Sequence, residues 1–164
     1  MHLILETNGT KDKLRVYEQF LTEYSALIDG EHDEISVMAN TTATLKETFN
    51  FFWVGFYIVK DKERLALGPF QGNTACFNIR KGYGVCGTAW EKGKTIVVPN
   101  VDLFPSHIAC SAKTRSEIVV PVIHENKVRA VLDIDSEKLA AFDETDRIEL
   151  EKMSDIMVRS LYMQ

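Results

Sequence analysis

Apolar residues recur at helical spacing from Lys11 to Ile28, where Leu14, Tyr17, Leu21, Tyr24 and Ile28 share one face and Gly30 supplies a stop. A second helix is predicted over Asp33–Phe49, weakened by Thr41, Thr42 and Thr44. The pattern then shortens. Trp53–Val59 is a strand, Lys60–Glu63 a polar turn and Arg64–Leu67 the returning strand, broken by Gly-Pro-Phe-Gln-Gly at 68–72. Ala75–Ile79 reads as a short strand. Glycines at 82, 84 and 87 make a tight bend, followed by a short helix through Trp90 and a strand at Thr95–Val98. No period runs through 99–115, and a connection that long in a compact domain is usually functional or disordered. Ile118–Ile123 and Val128–Ile134 form a hairpin around Glu125-Asn126-Lys127. A last helix begins at Glu144, capped by Asp143, with Ile148, Met153, Ile156 and Met157 available for packing. Helices at both ends and hairpins between them predict an α+β fold, an antiparallel sheet covered by terminal helices.

The 164 residues suit a single domain spanning 1–164, long enough to bury a core without disulfides or metals. With 45% hydrophobic and 26% charged residues, the composition is that of an ordinary globular protein. The net charge of −5 and scattered lysines and arginines exclude the basic patch of a nucleic-acid-binding face. No apolar run approaches the ~20 residues of a membrane span. The apolar start Met1–Glu6 is too short for a signal peptide, so the expected setting is a reducing cytoplasm. Cys76, Cys86 and Cys110 form no Cys-x-x-Cys pair and no zinc spacing. In such a compartment they are either small buried hydrophobes or reactive thiols.

Three features carry candidate chemistry. Asp133 and Asp135 lie two apart on one strand and so point to one face, and Glu117 begins the partner strand at the same end. With strands about 4.8 Å apart, the three acids should gather, whether as a functional cluster, a solvated strand end or a divalent-metal site; the other oxygen ligands such a metal needs are not visible. Pro121 marks a bulge or an edge. Cys110 lies in the long loop, a better place for a nucleophile than a strand, whereas Cys76, in or beside a strand, is equally read as core. Gly82-Tyr83-Gly84-Val85-Cys86-Gly87 matches G-x-G-x-x-G, but without a full βαβ unit it reads as a bend bringing Cys86 close to other backbone. Trp53 and Tyr57 share a strand face.

Together the segments Trp53–Tyr57, Leu67–Gly72, Gly84–Ala89, His107–Cys110, Ser116–Val119 and Leu132–Ser136 resemble the free-methionine-(R)-sulfoxide reductases, a family of single GAF domains. The match spans nearly the whole chain and includes all three cysteines. Tyr83 departs from it, standing where several relatives carry a basic residue. The resemblance implies an antiparallel sheet of about six strands backed by terminal helices, often as a homodimer. It implies Cys110 as the attacking cysteine, Cys76 as the first resolving one and Cys86 as an alternative or later exchange partner. Glu117, Asp133 and Asp135, with Trp53 and Tyr57, would line the substrate pocket. No metal or organic cofactor is implied, and electrons would come from thioredoxin.

The chemistry asks for these residue types. A sulfoxide sulfur is a poor electrophile until its oxygen is protonated, so a thiolate needs an acid beside it. Clustered carboxyls cannot all ionise, so one keeps a proton while the rest hold charge against a substrate ammonium. Two other classes compete. A nucleotide- or tetrapyrrole-binding module would need its output elsewhere, and the Asn-Lys-x-Phe…Asp-Glu pattern of cyclic-nucleotide-binding members is missing. A thiol redox sensor would use the cysteines but leave the three acids without a task.

Overall fold

The computed structural model describes residues 10–163; the stretch Met1–Glu6 lies outside the described residues. The chain opens with α1 (Thr10–Ile28) and α2 (Glu34–Phe49). Asp33 caps α2 by accepting from the Ser36 N–H at 2.8 Å, and Asn50 ends it in the left-handed region at φ 53°. The three threonines predicted to weaken α2 turn their hydroxyls back onto the carbonyls of Val37, Ala39 and Asn40. Such bonds let polar side chains sit within a helix.

Next come β1 (Trp53–Val59), β2 (Arg64–Gln71), β3 (Asn78–Arg80), α3 (Gly84–Lys92) and β4 (Ile96–Val98). After a single 3-10 turn at Val101–Leu103 follow β5 (Ser116–His124), β6 (Lys127–Ser136) and α4 (Glu144–Tyr162). The strands form one six-stranded sheet in the order β3-β2-β1-β6-β5-β4, with each neighbouring pair antiparallel. The α+β reading and the predicted strand count therefore match the structure.

Boundaries differ for physical reasons. β2 continues past Leu67 because its pairing with β1 shifts between Gly55 and Tyr57, which lets Gly68 and Pro69 bulge without ending the strand. Ala75–Phe77 does not join the sheet. Only residues 78–80 pair with β2, so Cys76 lies in the loop before β3 rather than in a strand. Pro121 sits at a local edge of β5, as one of the two expected readings had it. It pairs with Val131 and stands just beyond the reach of the short β4, where no partner requires its missing N–H. The β5–β6 turn uses Glu125 and Asn126 at φ 52° and 62°, the positive angles of a tight hairpin.

The sheet's two faces have different tasks. Val54, Phe56, Ile58, Ile118, Val120, Leu132 and Ile134 point into the main core, against Tyr17, Phe20 and Tyr24 of α1 and Leu150, Met153 and Met157 of α4. Leu14 and Ile148, expected to pack, are exposed, and Phe20 and Leu150 pack instead. The opposite face carries Trp53, Gly55, Tyr57, Glu117, Val119, Asp133 and Asp135 and is covered partly by α3 and by the loop 99–115.

Candidate active site

Main-chain pairing assembles the acids. Glu117 of β5 is opposite Asp135 of β6, Val119 is opposite Asp133, and on β6's other side Trp53 and Gly55 of β1 face Asp135 and Asp133. Alternation then turns Glu117, Asp133 and Asp135 to one face, together with Trp53 and Tyr57. Glu117 and Asp133 are each 6% exposed. Burial is the main reason that all three carboxyls are pushed up. Repulsion from Asp135 adds to burial at Glu117, which rises to about 8; Glu117 does the same to Asp133, and Asp133 to Asp135. Thr114 donates to Asp135 Oδ2 at 3.4 Å, whereas Oδ1 of both Asp133 and Asp135 has no hydrogen-bond partner among the described residues.

Cys86 projects from α3 into this cluster. Its Sγ and carboxylate oxygens of Glu117 and Asp133 lie within 4.8 Å of one another, near enough to share a proton or a cation. Burial, then the charges of Asp133 and Glu117, push its thiol well above the ordinary range, so Cys86 is a neutral thiol. α3 comes this close because Gly87 has no Cβ: one there would sit 2.4 Å from the Arg80 carbonyl oxygen.

Cys76 and Cys110 are joined by a disulfide with their Cα atoms 5.5 Å apart, across a sequence separation of 34. Both are half-buried, and Cys110 lines the same pocket as the acids. The Tyr57 hydroxyl donates to the Cys76 carbonyl at 2.9 Å, tying the β1 aromatic to the loop that carries the disulfide. Trp53 donates its indole N–H to the Asn73 carbonyl at 2.9 Å and stacks on Phe70 at 5.4 Å between ring centres. Two glycines make room for the indole. A Cβ at Gly55 or at Gly72 would each fall 2.5 Å from a Trp53 ring carbon.

Seven of the eight residues singled out in the sequence thus line one site of about 590 Å³ of open and enclosed space, and the eighth, Cys76, is tied to it through the disulfide with Cys110. Sequence reasoning missed three contributors. His107 brings Nε2 to 3.8 Å from Glu117 Oε2, and because burial lowers the imidazole pKa the contact is not an ion pair. Thr114 binds Asp135, and Gly55 seats Trp53. A lone glycine in an apolar strand signals close approach and could have revealed the last.

Residues 31–161 match the GAF domain family. The chain is 37% identical to the free methionine-R-sulfoxide reductase of Saccharomyces cerevisiae over 97% of this chain and 92% of that one. It is 52% identical to the GAF domain-containing protein A of Dictyostelium discoideum, over 85% and 87%. The X-ray structure of free methionine-R-sulfoxide reductase from Neisseria meningitidis, in complex with its substrate, superposes with a TM-score of 0.91 at 44% identity. The match covers 99% of this chain and 97% of that one. The chain belongs to the free-methionine-R-sulfoxide reductase family of GAF domains. Among the described residues no helix is long and apolar enough to cross a membrane.

Proposed function

We propose that this protein reduces free methionine (R)-sulfoxide to methionine, with Cys110 as nucleophile and Cys76 as resolving thiol. One observation carries the reading: a joined cysteine pair walls a pocket built on three buried, mutually repelling carboxyls. The Cys110 thiolate attacks the sulfoxide sulfur while a carboxyl protonates the oxygen. Oxygen passes to Cys110 as a sulfenic acid and methionine leaves. The Cys76 thiol then attacks the sulfenic sulfur, water departs and the disulfide closes. The sum is one sulfoxide and two thiols giving one thioether, one disulfide and one water.

The remaining acid charge holds the substrate ammonium, to which the unpartnered Oδ1 atoms of Asp133 and Asp135 are suited. Trp53 and Tyr57 pack the S-methyl end and exclude water. The preference for the R sulfoxide comes from the relatives' names alone. Cys86, neutral and buried among the acids, is suited to later exchange rather than to attack. Thioredoxin, a dithiol reductant, returns the disulfide to two thiols, a cycle suited to a cytoplasmic compartment.

The test is a single turnover of the reduced protein with separate R and S free sulfoxides. Close to one methionine per protein should form from the R isomer, with one Cys76–Cys110 disulfide. Cys110→Ser should form none. Full turnover by that variant with thioredoxin would overturn the assignment of the nucleophile.

A further inference from the structure

The pocket accounts for the side chains turned inward but not for those turned outward around the disulfide. Phe77, next to Cys76, is 79% exposed, and Tyr83, at the start of α3, is 47% exposed. Ile108, two residues before Cys110, is 37% exposed and rests its side chain against Gly84, beside Tyr83. Phe77 and Ile108 thus lie within two residues of the two half-buried, disulfide-joined cysteines, and Ile108 links its segment to the start of α3, where Tyr83 stands. Single exposed apolar residues are ordinary; a cluster of them bordering a disulfide is not. The Arg80 guanidinium lies over the Tyr83 ring, 4.9 Å from its centre, giving the apolar rim a positive border.

We infer that Phe77 and Tyr83, with Ile108, form the docking surface for the protein dithiol that reduces Cys76–Cys110, a partner with an apolar patch and acidic edge beside its thiols. This rests on the proposed recycling of that disulfide. Exchange needs an attacking sulfur brought into line with the S–S bond, and a half-buried bond admits a protein thiol only from the rim. The partner's first thiolate attacks one sulfur, the S–S bond breaks and a mixed disulfide forms. Its second thiolate then releases the chain. The partner leaves as a disulfide, and two electrons and two protons remain on Cys76 and Cys110 as thiols. An apolar contact at such a rim shortens the search for alignment without entering the chemistry.

The experiment follows reduction of the oxidised protein without any methionine sulfoxide, so it does not depend on the proposed substrate. Thioredoxin and dithiothreitol are compared as reductants of the wild type, Phe77→Glu, Tyr83→Ser and Phe77→Leu. In Phe77→Glu, loss of one apolar anchor should slow thioredoxin about tenfold or more and leave dithiothreitol within about twofold. Tyr83→Ser should follow with a smaller loss, and Phe77→Leu should retain most of the rate. Equal rates with thioredoxin in wild type and Phe77→Glu would overturn the inference, as would parallel losses with both reductants. It would also be overturned if Phe77→Glu only halved the mass of a dimer in solution, which would make the patch a contact between two copies of this chain. Failure of the single turnover on free methionine sulfoxide, with selective thioredoxin loss intact, would sink the proposed substrate and leave the docking surface standing.

Discussion

Asp135 on β6 stands directly opposite Glu117 on β5, so two acids that repel each other are held side by side by main-chain pairing. Asp133, one step along the same face, completes the cluster. The sheet's cooperative hydrogen bonding and the apolar core on its other face hold a site that its own charges oppose.

That opposition gives the site a pH signature. The folded-state pKa of Glu117 is raised from 4.5 to about 8, and those of Asp133 and Asp135 are also raised, so the folded protein binds more protons than the unfolded chain. Their contribution to stability is complete below the unfolded pKa and is lost as pH rises through the folded one. Denaturant unfolding without substrate should therefore show stability falling between pH 4.5 and about 8. Glu117→Gln should flatten that slope.

Under the proposed mechanism the acids divide into a proton donor and ammonium partners. Replacing the donor by its amide should lower kcat about 10²- to 10⁴-fold. Replacing an ammonium partner should mainly raise KM. Steady-state kinetics of Glu117→Gln, Asp133→Asn and Asp135→Asn would separate the two roles. If all three retain wild-type kinetics, the acids have no part in the reaction.

Substrates without the ammonium should be rejected. N-acetylmethionine sulfoxide would leave buried carboxyls desolvated and unpaired, and its kcat/KM should fall at least about 100-fold below that of the free amino acid. Peptidyl methionine sulfoxide should behave in the same way. Competition between free and acetylated substrate in one assay measures the ratio.

Gly55→Ala tests the aromatic wall. The added Cβ would stand 2.5 Å from both Phe70 Cβ and a Trp53 ring carbon, and the strand cannot move without breaking the β1–β6 pairing. Overpacking should cost about 1–3 kcal/mol of stability. Displacement of the indole should raise KM more than it lowers kcat. Tryptophan fluorescence of the folded variant reports whether the ring has moved.

The fold was legible where periodicity was strong. α1, β1, the β5–β6 hairpin and the Asp143-capped α4 lie within a few residues of their predicted spans. It was less legible where tertiary pairing overrides local signals. Gly68 and Pro69 look like breakers, yet the shifted register against β1 absorbs them, and Ala75–Phe77 has strand composition but touches β2 only where the Phe77 carbonyl accepts from the Leu67 N–H. The acid cluster was visible because alternation on adjacent strands is a local rule. His107 and Thr114 were not, because a loop without a period gives no direction to its side chains, and only the folded loop turns them onto Glu117 and Asp135.

The Cys76–Cys110 bond spans 34 residues, a stretch that includes β3, α3 and β4. By the chain-entropy account, closing a loop of that length is worth about 4 kcal/mol of resistance to unfolding. If that bond opens and closes once per turnover, the protein is toughest when spent and most perishable when armed. Its lifetime in a cell would then depend on how quickly substrate arrives to close the staple, and a scarcity of oxidised methionine would shorten it.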